Sequence, residues 1–187
     1  MNMGEFQELS CKFEKVDTAY SRLMELNAKL IDTPLEDDLK VLMEKFREIQ
    51  SVSSTQKQLL EIDMKEYDEG NLSLAQFSRR LSIRTTEVSN ITFDLDMEIS
   101  PKLLKLSRKL ADPVLEAAET VQQKDPAVVE EAKSLKESMN EVNREPDVVE
   151  RIDKTLTLVE KVIDVGKKVY SLAEHAPKLL PFVTLFI

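Results

Sequence analysis

Residues 146–174, PDVVERIDKTLTLVEKVIDVGKKVYSLAE, decide how this chain folds. Ile152, Leu156, Val159, Ile163 and Tyr170 recur at helical spacing and make one apolar stripe. Leu158, Val162, Val165, Val169 and Leu172 make a second stripe beside it. Only a narrow polar strip is left, through Asp153, Thr157, Glu160, Asp164, Lys167, Ser171 and Glu174. A helix apolar over most of its circumference needs neighbours on several sides. The stretch is therefore expected to be the central helix of a bundle, or one that completes its burial in an oligomer. Gly166 in its middle costs about 1 kcal/mol of helix propensity and lets another helix come close.

Residues 176–187 follow, with Lys178 as their only charged side chain. Leu179, Leu180, Phe182, Val183, Leu185, Phe186 and Ile187 make up most of the rest, and Pro177 and Pro181 discourage one continuous helix. So apolar a tail has to be buried, either in its own domain's core, against a partner or at a membrane interface. With Gly166 and Tyr170 these seven residues form the candidate interaction surface.

On the upstream side, Ser100-Pro101, Asp112-Pro113, Asp125-Pro126 and Glu145-Pro146 each set a polar residue before a proline, after which apolar periodicity resumes. Proline fits the first helical turn and fits poorly mid-helix. The pattern predicts short proline-initiated helices near 101–111, 113–124 and 126–143; a proline-kinked long helix is the alternative for 101–124.

The first half reads as long helices. Phe6, Leu9, Phe13, Val16, Tyr20, Leu23, Asn27 and Leu30 follow heptad-like steps over 5–31, with Asn27 as the polar exception, so a coiled-coil seam is one reading and an amphipathic bundle helix the favoured one. Thr33-Pro34-Leu35-Glu36 offers a cap, a proline at the first helical position and a Glu that can reach back. Leu39, Leu42, Phe46 and Ile49 then continue, the pattern weakens over 51–55, and Leu59, Ile62 and Tyr67 carry it onward. Thr55-Gln56-Lys57-Gln58 could restart the helix as a second capping box, Gly70-Asn71 is expected to end it, and Ser73-Leu74-Ala75-Gln76 to start the next. The phrase Tyr67 to Phe77 resembles the turn of helical hairpins found in small bacterial domains, which implies turn chemistry only. Ile91, Phe93, Leu95, Met97 and Ile99 alternate with polar residues, the period of a half-buried strand. Helix is the reading taken there, since no partner strand is evident; an edge pairing between chains is the alternative.

The whole is an all-α chain: a multi-helix bundle of long antiparallel helices plus shorter proline-initiated ones. One domain over 1–175, with a sub-boundary near 100, precedes the tail. The 187 residues include three Gly and no Trp, and the formal charge of −9 opposes a nucleic-acid partner. Met1 to Phe13 carries charges and no apolar run, so no signal peptide is expected and a cytoplasmic location is the default.

Chemistry is scarce. Cys11 and His175 are each the only residue of their type, which leaves too few ligands for a His/Cys zinc site and no Cys–His dyad from a recognisable motif. Cys11 is expected to be a small buried side chain, and His175 to sit at a helix C-terminus, where the dipole favours a cation. The acidic pairs Glu66 with Glu69, Glu116 with Glu119 and Glu150 with Asp153 would suit a magnesium-dependent all-α nucleotide hydrolase, but helix surfaces favour such pairs anyway. No enzyme activity and no cofactor is expected. Lys102, Lys105, Arg108 and Lys109 form a short basic stripe. The sequence favours a helical protein–protein interaction, scaffold or regulatory module with a protein partner or self-association. A bundle that meets a membrane surface through its C-terminal end is the alternative: from Lys161 to Ile187 four Lys face two acidic residues.

Overall fold

A computed structural model of the chain describes residues 3–121, 124–173 and 176–187. Helices α1 (Met3–Lys29), α2 (Glu36–Asp68) and α3 (Leu74–Asp94) are followed by a π-helical turn at Leu95–Ile99. Then come α4 (Ser100–Thr120), α5 (Pro126–Arg144), α6 (Val148–Leu172), a 3-10 turn (Leu180–Phe182) and the short α7 (Val183–Phe186). No strand occurs among the described residues, and the chain is an all-α multi-helix bundle.

The turns use the chemistry their residues offer. Gly70 takes φ +76 at the end of α2, so the Asn71 N–H reaches the Glu66 carbonyl at 2.8 Å and the Gly70 N–H reaches Tyr67 at 3.0 Å. That is a Schellman closure, which strongly favours glycine at its left-handed position. Ser73 and Gln76 cap α3 reciprocally where the next helix is expected to start, whereas Thr55 to Gln58 restart nothing, because α2 is continuous there. Before α2 the expected box is displaced. Thr33 Oγ1 donates to the Leu30 carbonyl and accepts from the Leu35 N–H, while Glu36 accepts from the Asp32 N–H at 2.9 Å. Asp125 and Asp147 cap α5 and α6 through their carboxylates.

Helix directions follow from cross-links between side chains. Tyr20 stands edge-on to Phe46 at 5.5 Å and Gln50 donates to Asp17 at 2.9 Å, so α1 and α2 are antiparallel. Arg80 and Arg84 on α3 reach Asp63 on α2, which turns the chain again. Lys168 pairs with Glu131 at 2.6 Å and Lys154 with Glu145, so α6 runs back along α5. Lys15 lies 3.7 Å from Glu150, and Arg22 reaches Asp153 and Glu160, which sets α6 parallel to α1. The α1–α2–α3 unit and the α4–α5–α6 unit thus meet where the first half of α6 lies along α1. One continuous run of buried side chains, from Leu9 to Phe186, fills both. As its two stripes predict, α6 is central: it packs on α1, α4, α5 and α7.

One expectation is corrected. The proline-started pieces over 101–124 are not separate helices: α3, the π-turn and α4 form one helix from Leu74 to Thr120, about 70 Å along its axis, with Pro113 inside it. The kinked-long-helix alternative is nearer the structure. At 91–99 the chain is helical, the reading taken there, and not the strand its alternation suggests. Ile91, Leu95, Ile99 and Leu103 are all buried, at successive spacings of four. In an α-helix each such step advances about 40°, so three would swing Leu103 about 120° off the core face. The π-turn inserts one residue and takes back about 100° of this, keeping the line inward. Its signature bond runs from the Ser100 N–H to the Leu95 carbonyl, and the widened turn makes room for the Pro101 ring, which clashes with a regular turn. Burial here has a period of four; the alternation at 91–99 mixes this inward line with the outward Phe93 and Met97. The weakening at 51–55 is not a break either. The inner face of α2 carries Ser53 and Asp63 where apolar residues would be expected, Leu60 is buried in place of Leu59, and Ile62 is exposed.

Candidate functional site

Three places in this fold gather side chains that bear on function: the strap 176–187 on α6, the π-turn, and the polar clasps between helices.

The strap follows α6 and folds back onto it. Leu179, Phe182, Leu185 and Phe186 are buried, Val183 and Tyr170 are half-buried, and Leu180 and Ile187 are exposed. The Phe186 ring lies 6.5 Å from Tyr170 and 6.4 Å from Phe182, centre to centre. It occupies the space over Gly166: a Cβ at 166 would stand 2.9 Å from Cδ1, 2.7 Å from Cζ and closer still to Cε1. Gly166 does permit a close approach, as its position suggests, but a phenyl ring makes it and not a whole helix. Lys178 pairs with Glu116 on α4. The structure therefore brings Gly166, Tyr170 and most of the apolar tail together in one intramolecular contact.

At the π-turn the helix presents the opposite surface. Phe93 and Met97 are 64% and 59% exposed, on the side away from the buried line of Ile91, Leu95 and Ile99. Charge surrounds them. Asp96 accepts from Arg151 at 2.9 Å, and Arg151 also donates to the Glu145 carbonyl at 2.8 Å, tying the π-turn to the α5–α6 turn. Glu98 accepts from Lys102 at 2.9 Å, which holds its carboxyl below its ordinary value of 4.5. Beside the pair, α2 and α3 enclose a depression of about 260 Å³ lined partly by Val52, Asn90 and Asp94.

The clasps are the feature the sequence reading missed. Arg22 donates to the Thr157 hydroxyl and to Glu160, each at 3.0 Å, as well as to Asp153. Burial works against its charge, but Asp153 and Glu160 outweigh burial and hold the guanidinium above its ordinary value. Asp63 is buried in the α2–α3 interface, with Arg80 at 2.7 Å and Arg84 at 3.2 Å; Arg84 also donates to Gln56. The available signal was the displacement of the α2 stripe, which puts a carboxylate on the core face.

The acidic pairs face cations of the chain itself. Glu66 goes to Arg80, Glu116 to Lys178, Glu150 to Lys15 and Asp153 to Arg22. Among the described residues no three His, Cys, Asp or Glu side chains converge as a metal cluster, and no helix is long and apolar enough to cross a membrane. In the basic stripe, Lys102 pairs with Glu98, Lys109 with Asp38, and Arg108 donates to Asn143 at 3.5 Å. Cys11 is exposed, not buried, because it falls on the outer face of α1, two residues past Leu9. It edges a cleft of about 530 Å³ between α1, α3 and the start of α6. His175 lies outside the described residues. Compared with known proteins, the chain matches no family model, no curated relative and no solved structure.

Proposed function

We propose that this chain is a non-enzymatic helical interaction module, acting as a scaffold or regulatory part, and that it meets its protein partner or a second copy at the π-turn. The observation that carries this is the pair Phe93 and Met97, exposed on a continuous helix beside the ion-paired Asp96 and Glu98. An apolar centre inside a polar rim is the anatomy of a protein contact, and aromatic residues dominate such centres. π-turns also gather at functional sites. The sequence reading put this contact on the tail; the docking of most of the tail on α6 favours the π-turn surface instead.

Replacing Phe93 and Met97 by serine tests the reading. Light scattering and sedimentation of the wild-type chain should show a stable self- or hetero-complex that the double variant loses while keeping its helix content. A wild-type chain that stays strictly monomeric and holds no partner overturns the proposal.

The outward Leu180 and Ile187 favour a second reading, contact with a bilayer interface through the strap. Flotation of the full chain on anionic liposomes, against a chain stopped at Ala176, tests it. Equal and negligible binding by both sinks that reading.

A further inference from the structure

We propose that residues 176–187 form a latch on α6. It is docked in this structure, and it opens as a unit to uncover the α6 face around Gly166 while α1–α6 stay folded.

The argument begins with Gly166. Glycine in the interior of a 25-residue helix lowers helix propensity. Its φ is not in the left-handed region and no turn requires it; what requires it is the Phe186 ring, which fills the space a Cβ would take. The loss in α6 is offset only while the ring is docked, so α6 is matched to a closed strap by one residue.

The strap is joined to the bundle mainly through side chains. Its main-chain bonds close on itself: Leu179 N–H to Ala176, Leu180 to Pro177, Phe182 to Leu179 and Ile187 to Val183. Among the described residues none of these is shared with another helix, so opening breaks no backbone bond of the bundle there. At four residues α7 is too short to hold its own helix, so the strap stays ordered only while docked. The Lys178–Glu116 pair is exposed on both sides, and such pairs add little. Burial of Leu179, Phe182, Leu185 and Phe186 has to offset the ordering of the whole segment, which leaves docking finely balanced. An open depression of about 610 Å³ lies at the strap's base, lined partly by Ala117, Val121, Leu172 and Pro177. Segments with few buried contacts open locally, well below the free energy of global unfolding.

The latch does not depend on the π-turn contact and can fail separately from it. Amide hydrogen exchange of the full chain, read by mass spectrometry across a denaturant series, tests it with Gly166→Ala, Phe186→Ala and the double variant. In the wild type, 176–187 should exchange through openings nearly independent of denaturant, and α4–α6 through openings that depend on it. Gly166→Ala should speed exchange of 176–187 by roughly tenfold or more, as overpacking does, and leave α4–α6 protected. With Phe186→Ala in place, the same glycine substitution should slow the opening of α6, because alanine is then only a better helix former. Exchange of 176–187 at the rate and denaturant dependence of α6 overturns the latch. So does a Gly166→Ala chain whose strap exchanges as in the wild type. Phe186→Ala alters no helix other than the strap's own, so it gives a reading even if Gly166→Ala fails to fold.

Discussion

At the α2–α3 end of the molecule two arginines converge on the buried Asp63, whereas at the α6 end a phenyl ring fills the notch left by Gly166. Both contacts set how one element sits on another, and they do so by different physics. The carboxylate is satisfied only if Arg80 and Arg84 are both in place, so that end is specified by charge and hydrogen bonding, at the expense of desolvation. The ring is specified by volume alone: it fits because an atom is missing from α6. A polar contact of the first kind fails badly when half of it is removed. A steric contact on a peripheral strap fails locally and leaves the rest standing.

The largest effect that could break this contrast is Asp63→Ala. It leaves the part-buried Arg84 with Gln56 alone, while Arg80 keeps Glu66, and should lower the free energy of unfolding by about 3 kcal/mol. Urea denaturation gives the number, and a loss under about 1 kcal/mol would mean the cluster is effectively solvated. Arg22→Met should cost less, about 1–2 kcal/mol, because Asp153 and Glu160 are partly exposed and regain water. Thermal unfolding at low and high salt would measure it, with the gap between variant and wild type narrowing as salt rises. Phe186→Ala should lower global stability by only about 1 kcal/mol, although a truncated core phenylalanine such as Phe46 costs about 3–5 kcal/mol. Equal losses at the two phenylalanines would place the strap in the core and erase the contrast.

The smallest effect is a pH dependence spread over the surface. The carboxyls of Glu36, Glu98 and Glu145 are each held below their ordinary value of 4.5, chiefly by hydrogen bonds from Lys40, Lys102 and Lys154. The folded chain therefore keeps these charges to lower pH than the unfolded chain does. Their contribution is complete above that ordinary value and drains away as the pH falls through the folded values. A chevron or melting series between pH 7 and pH 3 should show the decline only at its acidic end.

Much of this fold can be read from residue spacing. The two stripes of α6 announce a central helix, and the structure surrounds it on four sides. Gly70 and the Ser73–Gln76 pair announce the α2–α3 turn in detail. What spacing did not reveal came from rules that tertiary structure overrides. Prolines at 101 and 113 read as helix starts, because a regular turn has no room for them mid-helix, yet a π-turn supplies that room at Pro101. Asp63 and Ser53 made the face of α2 look broken, because a carboxylate on a core face is legible only once its arginines on another helix are known. The site was half legible. The surplus of apolar surface at the C-terminal end was visible, but that the chain covers most of it itself depends on three-dimensional packing that spacing does not encode.

The helix that runs from Leu74 to Thr120 also acts as a lever. From the π-turn to Thr120 is about 35 Å along the axis, so a bend of only 10° at that turn would carry the α4 end by about 6 Å. Arg151, which grips the π-turn through Asp96 and the α5–α6 turn through the Glu145 carbonyl, sits at the fulcrum.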